Sequence, residues 1–399
     1  MSQDVKNELL PKMRQQYLNR GRKGKSKLID TMVDVHGYSR KHAIKMLGAK
    51  TTCGGNPRVP KGRPIKYGED VIKVLKGIWK AAEQPCGKRL VVMLPLWLPF
   101  YEKHNVKLNV ELRKEVLSIS AAQIDRLLKP YKAKEGFKGR CGTKPGSLLK
   151  NQIPIRTDNW DITRPGYLEA DTVAHCGGSL EGDFIWSLAL TDIYSGWTAL
   201  RAVWNKGADG IVAAVRDIEF KLPFELLGFD CDNGSEFLNN HLLRYFQNRS
   251  SFVKFTRSRP YHKDDNGHIE QKNWTHVRQL LGYDRLEDPA LIEEINNLYV
   301  KVWEPLHNYF MPSAKLITKD RHGAKLKRCH DIPQTPCDRL LASDDISKET
   351  KRLLIQRRSE LDPIELGNEV EKGLRRILQL SHHSGRPTGS LRSAIIGVK

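Results

Sequence analysis

Three carboxylates in the middle of the chain have the residue types and the spacing that metal-dependent phosphoryl transfer needs. Asp171 lies inside the run Leu-Glu-Ala-Asp-Thr, Asp232 opens the sequence Asp-Asn-Gly after an apolar run, and Glu270 lies 38 positions beyond Asp232. Three carboxylates held close together repel one another unless cations lie between them. Their hard oxygen atoms suit Mg²⁺ or Mn²⁺, and two such ions about 4 Å apart can bind the attacking and the leaving oxygen of an in-line displacement. The three residues therefore predict a two-metal site.

Strand and helix patterns around these residues predict how they are brought together. Strands are predicted at residues 167–175, 184–191, 197–204, 225–231 and 252–256. Apolar residues at helical spacing predict helices at 208–220, 235–248 (with Ser235 as its cap) and 266–281, in the order β-β-β-α-β-α-β-α. Asp171 then lies on the first strand, Asp232 directly after the fourth, and Glu270 on the last helix. If the first and fourth strands are neighbours, the three carboxylates can meet at one edge of the sheet.

The segment from about 165 to 282 resembles the RNase H-like catalytic core of retroviral integrases and of bacterial insertion-sequence transposases of the DDE class. The motifs that carry the resemblance follow one another in the order found in that family. They are Glu-Ala-Asp-Thr at 169–172, Thr-Asp-Ile-Tyr-Ser-Gly-Trp at 191–197, Asp-Asn-Gly-Ser-Glu-Phe at 232–237, Arg-Pro-Tyr at 259–261 and Asn-Gly-His-Ile-Glu-Gln-Lys-Asn at 266–273. The separation between Asp232 and Glu270 also matches the family.

The resemblance implies roles for residues of this segment. Asp171, Asp232 and Glu270 would be the catalytic residues and the ligands of two Mg²⁺ or Mn²⁺ ions. Asn233 and Gly234 would form the turn that presents Asp232, and Asp192 would form a turn or support the metal ligands. The residues expected beside the bound DNA end are Asn266, Gly267, Lys272 and Asn273. Two further acids, Glu169 and Asp230, alternate with Asp171 and Asp232 along their strands and could share their faces.

The charge of the chain is unevenly distributed. The net charge is +21, and residues 1–150 hold 33 Lys and Arg against 12 Asp and Glu. Residues 151–300 hold 15 against 22, and residues 301–399 hold 19 against 12. The basic first third favours a phosphate-binding surface, and the acidic middle favours a cation-binding domain. A basic surface that only interacts with solvent is the alternative reading of the first third.

Residues 1–48 predict a helix-turn-helix DNA-binding module. Two helical patterns precede a turn at Gly37, and Ser39 is the expected cap of a third, basic helix. Three apolar residues of that helix are expected to pack inward: Ala43, Ile44 and Leu47. The candidate DNA contacts on its exposed face are Arg40, Lys41, His42 and Lys45.

A second DNA-binding region is predicted after a basic linker at 49–66. Within the linker, Arg63 lies in a Gly-Arg-Pro sequence that resembles a minor-groove hook, although a plain basic linker is the simpler reading. Residues 67–132 predict a second helical module, whose last helix follows the cap Ser120. Its candidate DNA contacts are Gln123, Arg126 and Lys129.

The remaining divisions follow from composition. We expect a basic connector at 133–165, the RNase H-like mixed-sheet core at 166–285, and a helical and basic extension at 286–380 in which residues 311–337 are mostly loop. A tail rich in Ser, Gly and Arg at 381–399 is expected to be disordered. The fold class is therefore multidomain α and α/β, with N-terminal helix-turn-helix modules, an α/β core and a helical C-terminal extension.

Several other classes of protein are disfavoured. The seven cysteines include no Cys-x-x-Cys pair, which argues against a disulfide framework or a zinc knuckle. The chain shows no apolar run of membrane-spanning length and no signal peptide, so a cytoplasmic, nucleoid-associated bacterial protein without a membrane partner is expected.

The sequence predicts a transposase that binds the double-stranded DNA ends of its element and joins them to target DNA. The resemblance implies a metal-dependent DDE polynucleotidyl transferase that works as a homo-oligomer in a synaptic complex. One alternative is a catalytically silent DNA-binding regulator. Another is an RNase H-like nuclease that cuts DNA without joining it.

Overall fold

The computed structural model describes residues 3–48, 66–131, 162–231, 237, 239–257, 269, 272–322 and 325–383. The described chain divides into two units, Met1–Lys66 and Tyr67–Lys399. Several predicted site residues lie outside the described residues: Arg63, Asp232, Asn233, Gly234, Asn266, Gly267 and Glu270. The predicted linker at 49–66, most of the connector at 133–165 and nearly all of the tail at 381–399 also lie outside them.

The N-terminal unit contains three described helices, α1 (Gln3–Leu18), α2 (Arg22–His36) and α3 (Arg40–Gly48). Gly37 ends α2 with φ +68°, a left-handed backbone conformation that glycine adopts without strain. The core of the unit is formed by Leu28, Ile29, Met32, Ala43 and Leu47. The expectation that Ile44 packs inward is wrong, because its side chain is 44% exposed.

The second unit is built on a mixed sheet of five described strands. They are β1 (Tyr167–Ala174), β2 (Ile185–Asp192), β3 (Thr198–Trp204), β4 (Gly228–Cys231) and β5 (Lys254–Arg257), in the spatial order β3-β2-β1-β4-β5. The first three strands are antiparallel neighbours, whereas β4 is parallel to both β1 and β5. The expectation that the first and fourth strands are neighbours is confirmed.

Both faces of this sheet are covered, as its nearly continuous apolar strands predict. One face packs against α8 (Ala208–Lys221) and α9 (Asn240–Gln247), through a cluster that includes Leu188, Leu190 and Phe229. The opposite face packs against helices that follow the sheet, through a cluster that includes Ala189 and Leu200. β2 is buried along its whole length and lies next to β1, the central strand of the sheet.

Helix α9 begins later than the sequence pattern indicates. Its cap is Asn239, whose side chain accepts a hydrogen bond of 2.9 Å from the backbone N–H of Leu242. Ser235, the predicted cap, lies outside the described residues. Serine and asparagine both cap helices well, so capping preference alone does not distinguish Ser235 from Asn239 as the cap.

The helices before and after the sheet share one hydrophobic core. Before the sheet lie α4 (Glu69–Ala81), α5 (Gly87–His104), α6 (Val110–Leu117) and α7 (Ala121–Leu128). After it come the π-helical segment Asn273–Arg278 with α10 (Gln279–Leu281), then α11 (Leu291–Leu298), the π-helical segment Tyr299–Trp303 and α12 (Glu304–Phe310). The last helices are α13 (Pro336–Ala342), α14 (Lys348–Ser359) and α15 (Pro363–His383).

Contacts of distant residues tie these two sets of helices together. The indole N–H of Trp97 donates to the carbonyl oxygen of Phe310 at 3.1 Å, and Arg89 donates to the carbonyl oxygen of Pro312 at 2.7 Å. Helices α4–α7 therefore pack on the C-terminal extension within one unit. Among the described helices, none has the length and the apolar character needed to cross a membrane.

A two-stranded hairpin interrupts the C-terminal helices. It consists of β6 (Leu316–His322) and β7 (Lys325–His330), which pair antiparallel. The sequence analysis predicts a loop-rich segment at 311–337 and does not identify these two strands. The strands were missed because their sequence is rich in charge and lacks the apolar alternation that marks a half-buried strand.

Candidate active site

Asp171 lies on β1, and its carboxylate accepts hydrogen bonds on both oxygens. One oxygen, Oδ1, accepts a hydrogen bond of 2.7 Å from the backbone N–H of Thr172. The other, Oδ2, accepts a hydrogen bond of 2.6 Å from the side-chain amide of Asn273. The residue is half-buried. These two bonds fix its orientation, and neither donor carries a charge.

The end of β4 lies beside Asp171. Ala170, the residue before Asp171, is the register partner of Cys231, the last residue of β4. Asp232 follows Cys231 directly in the chain and lies outside the described residues. The parallel pairing of β1 and β4 therefore brings the neighbours of two predicted ligands together at one edge of the sheet.

The segment around Glu270 is held to the same strand. The backbone N–H of Ile269, the residue before Glu270, donates to Oε2 of Glu169 at 3.1 Å. Asn273, three residues beyond Glu270, contacts Asp171 as described above. Glu270 itself lies outside the described residues. Residues on both sides of Glu270 are thus bonded to carboxylates of β1.

Glu169 and Asp230 are buried and are register partners across β1 and β4. Asp230 accepts a hydrogen bond of 2.6 Å from the hydroxyl of Thr256 on β5. Asp230 therefore links β4 to β5, and Glu169 holds the segment before Glu270 against β1. Their full burial distinguishes them from Asp171, which is half-buried.

The turn between β2 and β3 is a second centre of polar contacts. Asp192 is fully buried and accepts hydrogen bonds from the backbone N–H of Gly166 at 2.9 Å and of Ser195 at 2.7 Å. The Ser195 hydroxyl also donates to it at 2.6 Å. Burial raises the pKa of Asp192, and these hydrogen bonds oppose that rise. Asp192 therefore fixes the shape of this turn.

Three cations from distant parts of the chain bind successive carbonyl oxygens of this turn. Lys315 contacts the carbonyl of Tyr194, Arg339 that of Ser195 at 3.5 Å, and Lys272 that of Gly196 at 3.2 Å. Sequence reasoning did not identify Lys315 or Arg339, because contacts between residues more than a hundred positions apart leave no local pattern.

Lys272 is expected beside DNA, and its ammonium lies close to other cations. Burial, together with the nearby Arg89 and Arg339, lowers the pKa of Lys272 to about 7. The Nζ atom also lies 3.4 Å from Nε2 of His276. The pKa of His276 is itself lowered well below its ordinary value, mainly by burial. The charged groups near Lys272, two residues beyond Glu270, are therefore the guanidinium groups of Arg89 and Arg339.

The residues fit a hard divalent cation. The donor atoms near Asp171 are carboxylate and amide oxygens, which Mg²⁺ and Mn²⁺ prefer. Each oxygen of the Asp171 carboxylate accepts one hydrogen bond described above, and a carboxylate oxygen can accept more than one interaction. Asp171 could therefore ligate a cation while it keeps these bonds, with Asp232 and Glu270 as the other predicted ligands.

The remaining candidate DNA contacts lie on two helices, one in each unit. On α3, Lys41, His42 and Lys45 are exposed, whereas Arg40 forms an ion pair with Asp30. At α7, the Ser120 hydroxyl caps the helix through the backbone N–H of Gln123 at 3.3 Å, as expected. The polar residues there are the half-buried Gln123 and the exposed Arg126 and Lys129. Their exposure is compatible with a ligand but does not identify one.

The chain belongs to the same family as the uncharacterized protein y4rM of Sinorhizobium fredii (strain NBRC 101917 / NGR234). The two are 36% identical over 343 residues, which cover 85% of this chain and 96% of the relative. No family model matches the chain.

Two solved structures show local similarity. The catalytic core domain of BIV integrase is 13% identical, with a TM-score of 0.24 over 29% of this chain and 68% of that one. The simian T-cell lymphotropic virus intasome in complex with the PP2A regulatory subunit B56 gamma is 11% identical, with a TM-score of 0.25 over 45% of this chain and 58% of that one. Similarity at this level does not establish what this chain does.

Proposed function

We propose that this protein is a transposase that cuts and joins DNA with Asp171, Asp232 and Glu270 as its catalytic carboxylates. One observation carries the proposal. Residues close to Asp232 and Glu270 in the chain are bonded to β1 at Asp171 or just before it. Cys231 pairs with Ala170, the N–H of Ile269 donates to Glu169, and Asn273 donates to Asp171 itself. Carboxylates brought together in this way suit two-metal phosphoryl transfer.

In this proposal, each residue near the site has its own role. Asp171, Asp232 and Glu270 would hold the ions, and Mg²⁺ or Mn²⁺ bound there would supply activation of the attacking oxygen and stabilisation of the leaving one. Asn273 keeps the Asp171 carboxylate in one orientation. Glu169 fixes the segment before Glu270 through the N–H of Ile269. Asn233 and Gly234 form the turn that presents Asp232, and Asp192 fixes the turn between β2 and β3.

The DNA substrate would be bound by other parts of the chain. Residues 1–48 and 67–132 bind the element ends, through the candidate contacts on α3 and α7. The linker contributes Arg63, and the segment near Glu270 contributes Asn266, Lys272 and Asn273. The protein acts on element ends and on target DNA as a homo-oligomer in a synaptic complex, and it works in the bacterial cytoplasm at the nucleoid.

A strand-transfer assay tests this proposal. The purified chain is incubated with labelled DNA that carries the terminal repeats of its element, with Mg²⁺ or Mn²⁺ and with a chelator control. We expect metal-dependent cleavage and joined products, both lost in Asp232→Asn and Glu270→Gln while DNA binding is kept. Cleavage without joining would favour a nuclease. Tight binding with neither reaction would favour a DNA-binding regulator and would refute the enzymatic proposal.

A further inference from the structure

A groove lies between α8 and α9, on the face of the sheet that these two helices cover. Its volume is about 630 Å³, which is within the range of ligand-binding sites. Contacts join the helices near both of their ends. Nδ1 of His241 lies 2.9 Å from Asp209 near the starts of the helices, and Arg249 donates to Glu219 at 2.6 Å near their ends. The two helices therefore run in the same direction along the groove.

The groove begins at the edge of the sheet that carries the candidate active site. β1 is parallel to β3, because each pairs antiparallel with β2, and β1 is also parallel to β4. The carboxyl ends of these three strands form one edge, which we call the active-site edge because β4 ends beside Asp171. Helix α8 begins at Ala208, four positions after β3 ends at Trp204. A linear ligand in the groove would therefore extend from the active-site edge along both helices.

The groove carries positive charge that the described part of the chain does not neutralise. Two of its arginines, Arg216 on α8 and Arg244 on α9, are exposed. Neither forms an ion pair with a described residue, since the nearby Asp209 and Glu219 are paired as stated above. Arg216 lies over the ring of Tyr245 instead, 5.4 Å from its centroid. Two guanidinium groups that line one groove from opposite helices favour an anionic ligand.

Two exposed phenylalanines lie at the far end of the groove. Phe220 is 89% exposed and Phe252 is 86% exposed. Phe220 directly follows Glu219, and Phe252 lies three positions beyond Arg249, so both flank the ion pair that joins the helices at this end. Aromatic rings that stack on bases, together with a positively charged groove that follows the backbone, are typical of proteins that bind single-stranded nucleic acid.

The dimensions of the groove favour one strand over a duplex. The axes of packed helices lie about 8 to 10 Å apart, so a groove between them has room for one backbone. The bases of a duplex are also stacked on one another, which keeps them from exposed aromatic rings. An acidic peptide would meet the same positive charge. It would find little apolar surface, however, because the aliphatic residues that line the described groove are Val212 and Ala213.

We propose that the groove between α8 and α9 binds a single strand of DNA that extends from the active-site edge. The identity of this strand as part of the substrate rests on the proposed function, but the binding itself does not require catalysis. Arg216 and Arg244 bind its phosphates, and Phe220 and Phe252 stack on its bases. These contacts position the strand without reading its sequence.

Salt-dependent binding tests the role of the arginines. The full chain and the variant Arg216→Gln, Arg244→Gln are titrated with a labelled oligothymidylate of about 12 nucleotides and with a duplex, between about 50 and 200 mM salt. Each phosphate contact to a single strand contributes about 0.7 to the magnitude of the slope of log K against log salt, so the variant should lose about 1.4. The slope for the duplex should stay at the wild-type value. An equal decrease in both slopes would refute the assignment to a single strand.

The matched control is Arg352→Gln, Arg357→Gln. It removes two exposed arginines from α14 and changes the net charge by the same amount. Both slopes should keep their wild-type values in this control. Polyglutamate supplies a further comparison. If it binds the wild type but not the groove variant, and the oligothymidylate slope is unchanged in that variant, the groove belongs to an acidic polypeptide and the proposal is overturned.

Photochemical crosslinking tests the role of the phenylalanines. An oligonucleotide with 5-iodouracil in place of thymine is irradiated in complex with the full chain, and mass spectrometry locates the crosslinked residues. We expect crosslinks at Phe220 and Phe252. The variant Phe220→Ala, Phe252→Ala should bind the single strand about 30-fold more weakly. Crosslinks that fall only outside residues 208–252, together with wild-type affinity of this variant, would overturn the proposal.

The groove and the transposase activity fail in different ways. If the wild-type chain gives no metal-dependent cleavage or joining but the arginine variant loses the single-strand slope, the transposase proposal fails and the groove contact stands. If the wild type joins DNA and the arginine variant binds the single strand with the wild-type affinity and slope, the groove contact is refuted and the enzymatic proposal stands.

Discussion

The side-chain amide of Asn273 donates to Oδ2 of Asp171 across 102 positions of sequence, at a distance of 2.6 Å. This bond joins the segment that carries Glu270 to the strand that carries Asp171. Because its donor is neutral, the bond orients the carboxylate without neutralising its negative charge. A metal ligand needs both a fixed orientation and its charge.

Replacing Asn273 with alanine should therefore slow catalysis without preventing DNA binding. A hydrogen bond to a charged group contributes about 1.5 to 3 kcal/mol, which corresponds to a decrease of about 10- to 100-fold in the rate of joining. Single-turnover joining at saturating DNA measures this effect, and the requirement for Mg²⁺ should move to higher concentration. Asn248→Ala, on the exposed end of α9, is the control. A wild-type rate for Asn273→Ala would show that the bond has no role in the reaction.

A second prediction concerns Arg339, which is 6% exposed and joins α13 to the residues on either side of the β6–β7 hairpin. Its guanidinium donates to the carbonyl oxygen of Ser313 at 2.7 Å and forms an ion pair with Asp331 at 2.9 Å. Arg339→Met would leave these acceptors without their donor. Because Asp331 is partly exposed, we expect the cost of a lost hydrogen-bond partner, about 1 to 3 kcal/mol, rather than that of an isolated buried charge.

Chemical unfolding measures that loss. Arg352→Met is the matched control, because Arg352 and its partner Glu349 are both exposed. Exposed pairs of this kind contribute about 0 to 1 kcal/mol. Equal destabilisation by the two substitutions would mean that burial of Arg339 does not determine its contribution.

Much of the second unit follows from apolar pattern. The buried run of β2 and the helical spacing of α8 predict both elements to within about two residues, because burial on a sheet face or a helix face imposes that spacing. The sequence patterns locate β1 and β4 but do not show which strands pair, so their pairing entered the sequence analysis only as a condition. In the structure the two strands pair in parallel.

Other features leave no local signal. The π-helical segments Asn273–Arg278 and Tyr299–Trp303 fall within patterns that also suit an α-helix, so their periodicity does not reveal them. The β6–β7 hairpin was missed because its sequence is charged rather than alternating. The candidate catalytic residues were predicted from the acidic residue types and from their order along the chain. The bond from Asn273 to Asp171 and the contacts of Arg339 depend on chain folding and could not be predicted.

A third prediction separates the cations of α3. Arg40 forms an ion pair with Asp30 and donates to the hydroxyl of Ser26 at 3.1 Å, whereas Lys41 and Lys45 are exposed. The double variant Lys41→Gln, Lys45→Gln should weaken binding to duplex DNA and lower the salt slope by about 2, because each lysine neutralises one phosphate. Lys348→Gln, Lys351→Gln is the control on α14. An unchanged slope in the α3 variant would exclude this helix as the DNA contact.

The final prediction concerns His175, which lies fully buried just after β1. Its Nε2 atom lies 2.8 Å from the hydroxyl of Ser187, which in turn lies 2.7 Å from the hydroxyl of Tyr299. Burial, together with the nearby Arg278, lowers the pKa of His175 to about 3. The folded chain therefore holds this imidazole in its neutral form.

The sign of the pH dependence follows from that pKa. An unfolded histidine binds a proton below about pH 6.5, whereas His175 in the folded chain does not bind one until about pH 3. Because the unfolded state binds more protons in this window, the free energy of unfolding decreases as the pH falls from about 6.5. Between about pH 7 and pH 5, before most carboxylates titrate, the loss from this residue should be about 2 kcal/mol.

Urea unfolding at closely spaced pH values tests this expectation. His175→Gln removes one of the titrating groups, so from about pH 7 to pH 5 the variant should lose about 2 kcal/mol less stability than the wild type, even if it is less stable at neutral pH. The buried His276, whose pKa is also lowered, keeps its own contribution in both proteins. His241→Gln is the control, since His241 is exposed and paired with the exposed Asp209 at 2.9 Å. It should keep the wild-type pH dependence. If His175→Gln loses stability over this window as steeply as the wild type, then another group is responsible for the acid sensitivity of the fold.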